Sequence, residues 1–439
     1  MPTSFRPYAP DQSLLLPPSP RDWLPEGHLA YFISETVDTL DLSAFYAPYE
    51  GDGRRNQPFE PAMMVKVLLY AYATGTFSSR RIARKLEEDV AYRVLAVGNF
   101  PAHRTICEFR QEHLKAFGEL FVQVVRIARE AGVVRMGSLV VDGSKVKANA
   151  SKRKAMSYGR MLEEERRLQG QIAELTARAA AVDAAEDAEH GPERRGDELP
   201  AELQRREQRL SKIREAKARL EARQAEQDRQ KGRSEDDDRK SPRGGRPFAR
   251  DFGVPPDKAQ DNFTDPESRI MNTTQGFEQC YNGQIAVDEG SQMILATSLT
   301  NNAADHDELI PLLEQAQSNL GCPAQQVLAD AGYRSEATFQ TLEARGIDAY
   351  ISLGREGTES ATVSAKLEAT RRMAEKLASS SGKQRYRRRK AVVEPVIGWI
   401  KSVLGFRHFS FRGQGKAVGE WALVCLAVNL KRYHVLQAA

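Results

Sequence analysis

The chain has 439 residues, 41% of them hydrophobic and 28% charged, which supports a sizeable core and excludes wholesale disorder. At roughly 150 residues per domain this length predicts two to four domains. Lys and Arg total 64 against 60 Asp and Glu, a net charge of +4, so any basic surface is local. Cys107, Cys280, Cys322 and Cys425 show no paired spacing, which excludes a zinc ribbon or a disulfide scaffold and fits a reducing compartment. No apolar run reaches the roughly 18 residues of a membrane span. The opening MPTSFRPYAPDQ lacks a signal-peptide core, so a soluble cytoplasmic protein with no membrane partner is expected.

The first third reads as helical. His28 to Leu42 is amphipathic, and Pro61 opens PAMMVKVLLYAY in the first-turn position that proline tolerates. After a turn at Gly75-Thr76, Ser78-Ser79 is a fair N-cap for RRIARKL, and a further helix is expected from Arg104 to Ala131. Short helices joined by tight polar turns resemble a helix-turn-helix unit, with Arg80 and Arg81 placed to meet phosphates. Basic residues on a solvated helix face are the plainer alternative.

Ser138 to Asp142 (SLVVD) is then a short apolar strand closed by a carboxylate. Composition changes sharply beyond it. Met161 to Pro247 contains no aromatic residue, and 25 basic and 21 acidic residues fall between Ala150 and Arg250, too many for a core of its own. Leu168, Ile172, Leu175, Ala179 and Val182 step by four and three, as do Leu210 and Ile213, with Leu203 and Leu220 seven away. Heptads on both sides of His190-Gly191-Pro192 predict a helical hairpin or coiled-coil arm, the alternative being a solvated linker. Arg233 to Arg246 would be its flexible exit.

Past the insertion, QIAVD (Gln284 to Asp288) and QMILATSL (Gln292 to Leu299) read as paired strands joined by Glu289-Gly290-Ser291. A helix from Asp307 to Leu320, a second strand closed by a carboxylate (QVLAD, ending at Asp330), a helix from Glu336 to Arg345 and a strand at Ala349 to Leu353 complete an alternating pattern. That pattern predicts an α/β core. Two adjacent strands ending in Asp142 and Asp330 would bring two carboxylates together at the mouth of a sheet, the glycine beside each letting the backbone turn away. Such a pair needs a cation, and oxygen ligands favour Mg²⁺ or Mn²⁺. Ordinary turn aspartates are the alternative. Glu394 lies in an otherwise apolar helix start, and Pro395 beside it argues for the first turn. Lys401 would share its face two turns on. Lys383 to Lys390 holds six basic residues in eight, with Tyr386 among them, and beside a lone carboxylate suggests that a polyanion is brought to a metal site, the alternative being a solvated basic loop next to a helix-capping Glu.

Together these residues resemble the DDE transposases of bacterial insertion sequences, in the group with a Tyr-Arg-Glu-Lys signature around the last acid. VVDGSKVKAN, YNGQIAVDE, SLTNNAADHDEL, LADAGYRS, VEPVIGWIK and GFRHFSFRG…EWALVCLAVNLKR look like family blocks in family order, and AMMVKVLLYAYATGTFSSRRIARKL is similar to the family's DNA-binding segment. The likeness covers nearly the whole chain except the charged insertion. It implies an α/β fold with an RNase H-like mixed-sheet catalytic core, an N-terminal all-helical domain and a long charged helical, coiled-coil-like insertion. The boundaries would be 1–136 for the DNA-binding helices, 137–155 for the first core strand, 156–258 for the insertion and 259–439 for the rest of the core. Asp142, Asp330 and Glu394 correspond to the acidic triad, which would hold two Mg²⁺ or Mn²⁺ ions. Tyr386, Arg389 and Lys401 correspond to the remaining signature. The gap from Arg389 to Glu394 is one residue longer than usual, and Lys390 restores it. Implied partners are the terminal inverted repeats, target DNA and a second protomer. A metal-dependent nuclease without strand transfer and a non-catalytic DNA-binding protein remain the alternatives.

Overall fold

The structure is a computed structural model, and it describes residues 19–50, 57–190, 201–235, 248–354 and 367–438. The opening MPTSFRPYAPDQ, the break at Gly191-Pro192, and the Asp236-Asp237-Asp238 and Pro242-Arg243-Gly244-Gly245 stretches lie outside the described residues.

The N-terminal part is helical: α1 (Leu29–Asp38), α2 (Ser43–Tyr46), α3 (Pro61–Ala73), α4 (Ser79–Glu88), α5 (Val90–Ala96), α6 (His103–Glu112) and α7 (Leu114–Glu130). The single helix expected from Arg104 to Ala131 is two. His113 separates them at φ −101°, ψ 17°, its ring bonded to the Phe109 carbonyl at 2.9 Å and stacked on Phe45 and Phe109. That packing holds the backbone out of helical geometry. Nearly all of α3 from Met63 to Ala73 is buried, which its run of apolar side chains on every face requires.

Strand β1 (Ser138–Lys147) follows, then β2 (Ala155–Ser157), the long helices α8 (Tyr158–His190) and α9 (Ala201–Gln230), and β3 (Gln260–Asn262), which closes a small ribbon with β2. The insertion is therefore a helical hairpin. Tyr158 at the start of α8 bonds Glu221 late in α9, while Glu164 further along α8 pairs with Arg209 early in α9, so the helices run antiparallel, with Glu165 bridging to Arg214 and Lys217. Its interior is a small cluster of its own, with Tyr158, Met161 and Leu168 against Leu210, Ile213, Ala216 and Leu220.

The remaining elements are β4 (Arg269–Thr273), β5 (Gly276–Asp288), β6 (Ile294–Thr300), α10 (Leu309–Leu320), β7 (Gln326–Ala329), α11 (Glu336–Ala344), β8 (Asp348–Ile351), α12 (Glu368–Ala378), α13 (Ser380–Gly398) and α14 (Gln414–Gln437). They build a mixed sheet in the order β4-β5-β1-β7-β8, with β6 on β5. β1, β7 and β8 are parallel, whereas β5 is antiparallel to β1, β4 and β6. The hairpin arm enters between β1 and β5, the first and second long strands. Helix α14, buried from Ala417 to Leu430 with few gaps, lies between the sheet and α3 and α7, so the helical part and the sheet share one continuous core. A buried polar chain crosses the same junction: Arg110 donates to the Tyr72 hydroxyl at 2.9 Å, and Tyr72 donates to Glu420 at 3.0 Å. No helix among the described residues is long and apolar enough to cross a membrane.

Candidate active site

Asp142 lies inside β1, not at its end. The strand continues to Lys147 because β5 pairs with it throughout, Asp142 standing opposite Ile285. The parallel partner β7 pairs only with Ser138–Val140, so from Val141 that edge of β1 has no strand beside it until Lys147 bridges to His408. Continuing the pairing of Val140 with Leu328 by two residues brings Asp142 level with Asp330. Asp330 follows β7 and caps a turn at Ala331–Tyr333, its Oδ1 accepting from the Gly332 amide at 2.8 Å. The expected backbone turn at Gly143 is absent. Its glycine answers a different need: a Cβ there would lie 2.5 Å from Gln284 Nε2 and 2.9 Å from Asp305 Oδ1.

The electrostatics of Asp142 follow from this placement. Burial pushes its carboxyl up to about 6; Arg389 pulls it back and Asp330 pushes it further up. Arg389 Nη1 donates to Asp142 Oδ2 at 3.0 Å, and the Gly143 amide donates to Oδ1 at 2.8 Å. Burial, the largest effect, opposes the guanidinium's charge, but Asp142, Tyr386 and Asp330 together hold Arg389 above its usual range. Arg389 Nε is buried without a hydrogen-bond partner.

Arg389 comes from α13, and here the structure corrects the reading of the basic run. α13 starts at Ser380, capped by the Ser379 hydroxyl, so Lys383 to Lys390 is helix, not loop. Glu394 and Pro395 are then interior positions, far from the first turn. Pro395 leaves the Ala391 carbonyl without its helical donor, and Gln292 Nε2 donates to it at 3.2 Å instead. A π turn at Trp399–Val403 follows. Glu394 is exposed, while Lys401 is half-buried and donates to the Lys145 carbonyl at 2.8 Å, so the two do not share a face. Burial lowers the Lys401 ammonium. Much of the basic run is committed within the protein: Arg385 and Arg388 both bind Glu289, and Arg385 also reaches Ser138 and Gln326.

Asp330 opens onto a groove of about 600 Å³ lined also by Arg334, Ser352, Tyr386, Arg389 and Lys390, and Asp142 is joined to its wall through Arg389. Asp142 and Asp330 are thus brought together with Tyr386, Arg389 and Lys390. Glu394 is not gathered with them, and among the described residues no three His, Cys, Asp or Glu side chains form a group able to hold a metal ion. The pair itself fits a hard cation: both donors are carboxylate oxygens, and their mutual repulsion and burial favour a positive charge between them. Arg80 and Arg81 are exposed on α4, whose Ser78 occupies the N-cap position without a side-chain capping bond. Asp305, unmarked in the sequence reading, stands beside the pair. Nothing distinguished it from Asp307 and Glu308 in the same polar block.

Residues 249–430 match the family described as "Transposase DDE domain", and residues 18–112 match "Transposase domain (DUF772)". The first match takes in β5 to β8 and α13, and implies an RNase H-like core. No curated protein and no solved structure matches the chain.

Proposed function

We propose that this chain, which carries two transposase domains consistent with a DDE transposase of insertion sequences, binds the terminal inverted repeats of its element and cuts and joins DNA. One observation supports the chemistry above all. Two carboxylates stand near one another at the edge of the sheet, Asp142 inside β1 and buried against Arg389, and Asp330 just past the parallel strand β7 and at a groove lined by Tyr386, Arg389 and Lys390.

In this reading Asp142 and Asp330 hold Mg²⁺ or Mn²⁺, two ions in the full complement, with Glu394 as a third ligand. Glu394 takes that role by its place five residues along α13 from Arg389 and not by a contact. When bound, the metal supplies Lewis-acid assistance to an in-line displacement at phosphorus. The residues of the chain do the rest. Arg389 orients the Asp142 carboxylate and balances its charge before DNA arrives. Tyr386, Arg334 and Lys390 bind the phosphodiester along the groove. Water attacks the phosphorus at the element's end and gives up its proton, the P–O bond to the leaving 3′ oxygen breaks, and the freed 3′-hydroxyl then attacks a target phosphodiester, whose own 3′ oxygen leaves as its P–O bond breaks. Both steps are the same displacement, so one site serves both. Arg80 and Arg81 on α4 would meet backbone phosphates of the inverted repeat. A second protomer is expected because two ends must be joined.

Incubation with Mg²⁺, element-end DNA and a target plasmid tests the reading. A joined product supports a transposase, cleavage alone indicates a nuclease, and a mobility shift without cutting indicates a DNA-binding protein. Asp142→Asn, Asp330→Asn and Glu394→Gln should each abolish cleavage and spare end binding, which rests on Lys and Arg. Full activity in one of the three would remove that residue from the triad.

A further inference from the structure

Asp305 lies in the segment between β6 and α10, and its side chain is only 16% exposed. Its Oδ1 accepts from Asn282 Nδ2 at 2.6 Å and from Gln284 Nε2 at 2.7 Å, both on β5. Lys145 Nζ on β1 stands 3.6 Å from Oδ2. The Gln284 amide is held at its other end by the buried Tyr333 hydroxyl, which donates to Oε1 from the turn that Asp330 caps. Asp305 thus connects β1, β5 and the turn after β7.

Two glycines show how close this carboxylate comes to both aspartates. A Cβ on Gly143, next to Asp142, would lie 2.9 Å from Asp305 Oδ1. A Cβ on Gly332, two residues past Asp330, would lie 3.0 Å from Asp305 Oδ2 and 3.0 Å from Asp330 Oδ1. One side chain therefore occupies the space beside each aspartate that a glycine leaves open.

We propose that Asp305 is a positioning residue, a brace that fixes the spacing of Asp142 and Asp330 through Gly143, Gln284 and the Tyr333 turn. The proposal rests on the reading of that pair as the metal-holding acids. Asp305 touches neither DNA nor metal in this role. Its Oδ1 sets the Gln284 amide, the amide sets Tyr333, and the turn carrying Asp330 follows. Lys145 offsets the extra negative charge so that the brace does not repel the pair it holds.

The test compares Asp305→Ala, Asp305→Asn and Gly143→Ala in the full chain by thermal melting, Mn²⁺ binding to the DNA-free protein by calorimetry, end-DNA gel shift and cleavage. Asp305→Ala should cut cleavage roughly a hundredfold, the scale of a misplacement near one ångström. It should weaken Mn²⁺ binding at least about tenfold, with end binding unchanged. Asp305→Asn keeps an Oδ1 acceptor and should be milder in both, and it carries the test if the alanine variant does not fold. Gly143→Ala pushes on the same carboxylate from the other side and should reproduce the loss. Wild-type Mn²⁺ binding in all three variants overturns the brace, as does a cleavage loss that follows the melting temperature with metal affinity unchanged. If wild-type protein binds Mn²⁺ but never cleaves, the transposase reading fails and the Mn²⁺ comparison still decides the role of Asp305.

Discussion

Arg389 and Asp142 form an ion pair at 3.0 Å whose side chains are only 10% and 16% exposed. Even so, burial and Asp330 leave the Asp142 carboxyl raised from 3.8 to about 6. A carboxyl raised on folding holds its proton more tightly in the folded state. Its burial therefore lowers stability as pH climbs from 3.8 to about 6, and the full penalty, about 3 kcal/mol for a shift of this size, persists above that. Asp142→Asn should remove it. In EDTA the variant should gain about 1–3 kcal/mol at pH 8, by urea unfolding, and gain little at pH 4. An equal change at both pH values would mean the carboxyl is not strained by its surroundings.

The commitments of the basic helix sort its residues by experiment. Arg389→Ala should slow cleavage at saturating DNA, because its guanidinium is turned inward to Asp142, yet barely alter the salt slope of binding. Arg387 is exposed, so Arg387→Ala should flatten that slope by about 0.9, one phosphate contact. Lys390→Ala, at the groove wall, bears on the signature spacing. If it reproduces the cleavage defect and Arg389→Ala does not, Lys390 is the signature residue.

Glu289 owes its character to the same helix. Hydrogen bonds from Arg385, with Arg388 adding to them, hold its carboxyl down at about 2. A depressed carboxyl contributes stability that is present above its unfolded value of 4.5 and is lost as pH falls toward 2. Glu289→Gln should cost about 2 kcal/mol at pH 7, discounting for the exposed Arg388, and the deficit should shrink as pH approaches 2. Arg388→Ala should lower stability in parallel and leave the salt slope of DNA binding unchanged. A flattened slope would mean that Arg388 leaves Glu289 for DNA.

What was legible in the sequence was local. Asp142 and Asp330 stood out because each follows an apolar run, and two such runs in an α/β pattern place their ends together as parallel neighbours. Glu394 reads as a first-turn residue because proline is tolerated there, but it lies well inside α13. The actual start is set by Ser379, and Gln292, from the β5–β6 connection, answers the carbonyl that Pro395 exposes. That compensation joins residues a hundred positions apart and leaves no local mark. The fate of Arg385 and Arg388 was hidden for the same reason, since Glu289 reads only as a hairpin turn residue. Heptads exposed the arm, but not the way its root is fastened.

The fastening yields the last prediction. The hairpin's buried apolar residues, Tyr158 to Leu168 and Leu210 to Leu220, form a cluster of their own apart from the main core. At the root, polar contacts fasten it as well. Asp261 on β3 is fully buried and accepts from Arg219 at 2.7 Å and Arg223 at 2.6 Å, both on α9. Tyr158 at the start of α8 donates to Glu221 at 2.7 Å. The division between arm and core therefore lies up the hairpin from the β2–β3 ribbon, not at the ribbon itself. Replacing residues 169–209 by a short Gly/Ser linker should leave a single cooperative melting transition at nearly the wild-type temperature. Asp261→Ala strands two arginines, partly relieved by solvent, and should cost about 1–3 kcal/mol. If the shortened protein keeps its fold and end binding but loses paired-end complexes on a sizing column, the arm serves assembly through helix-to-helix contacts. If it aggregates while Asp261→Ala is harmless, the upper arm packs on the core and the root is not the anchor.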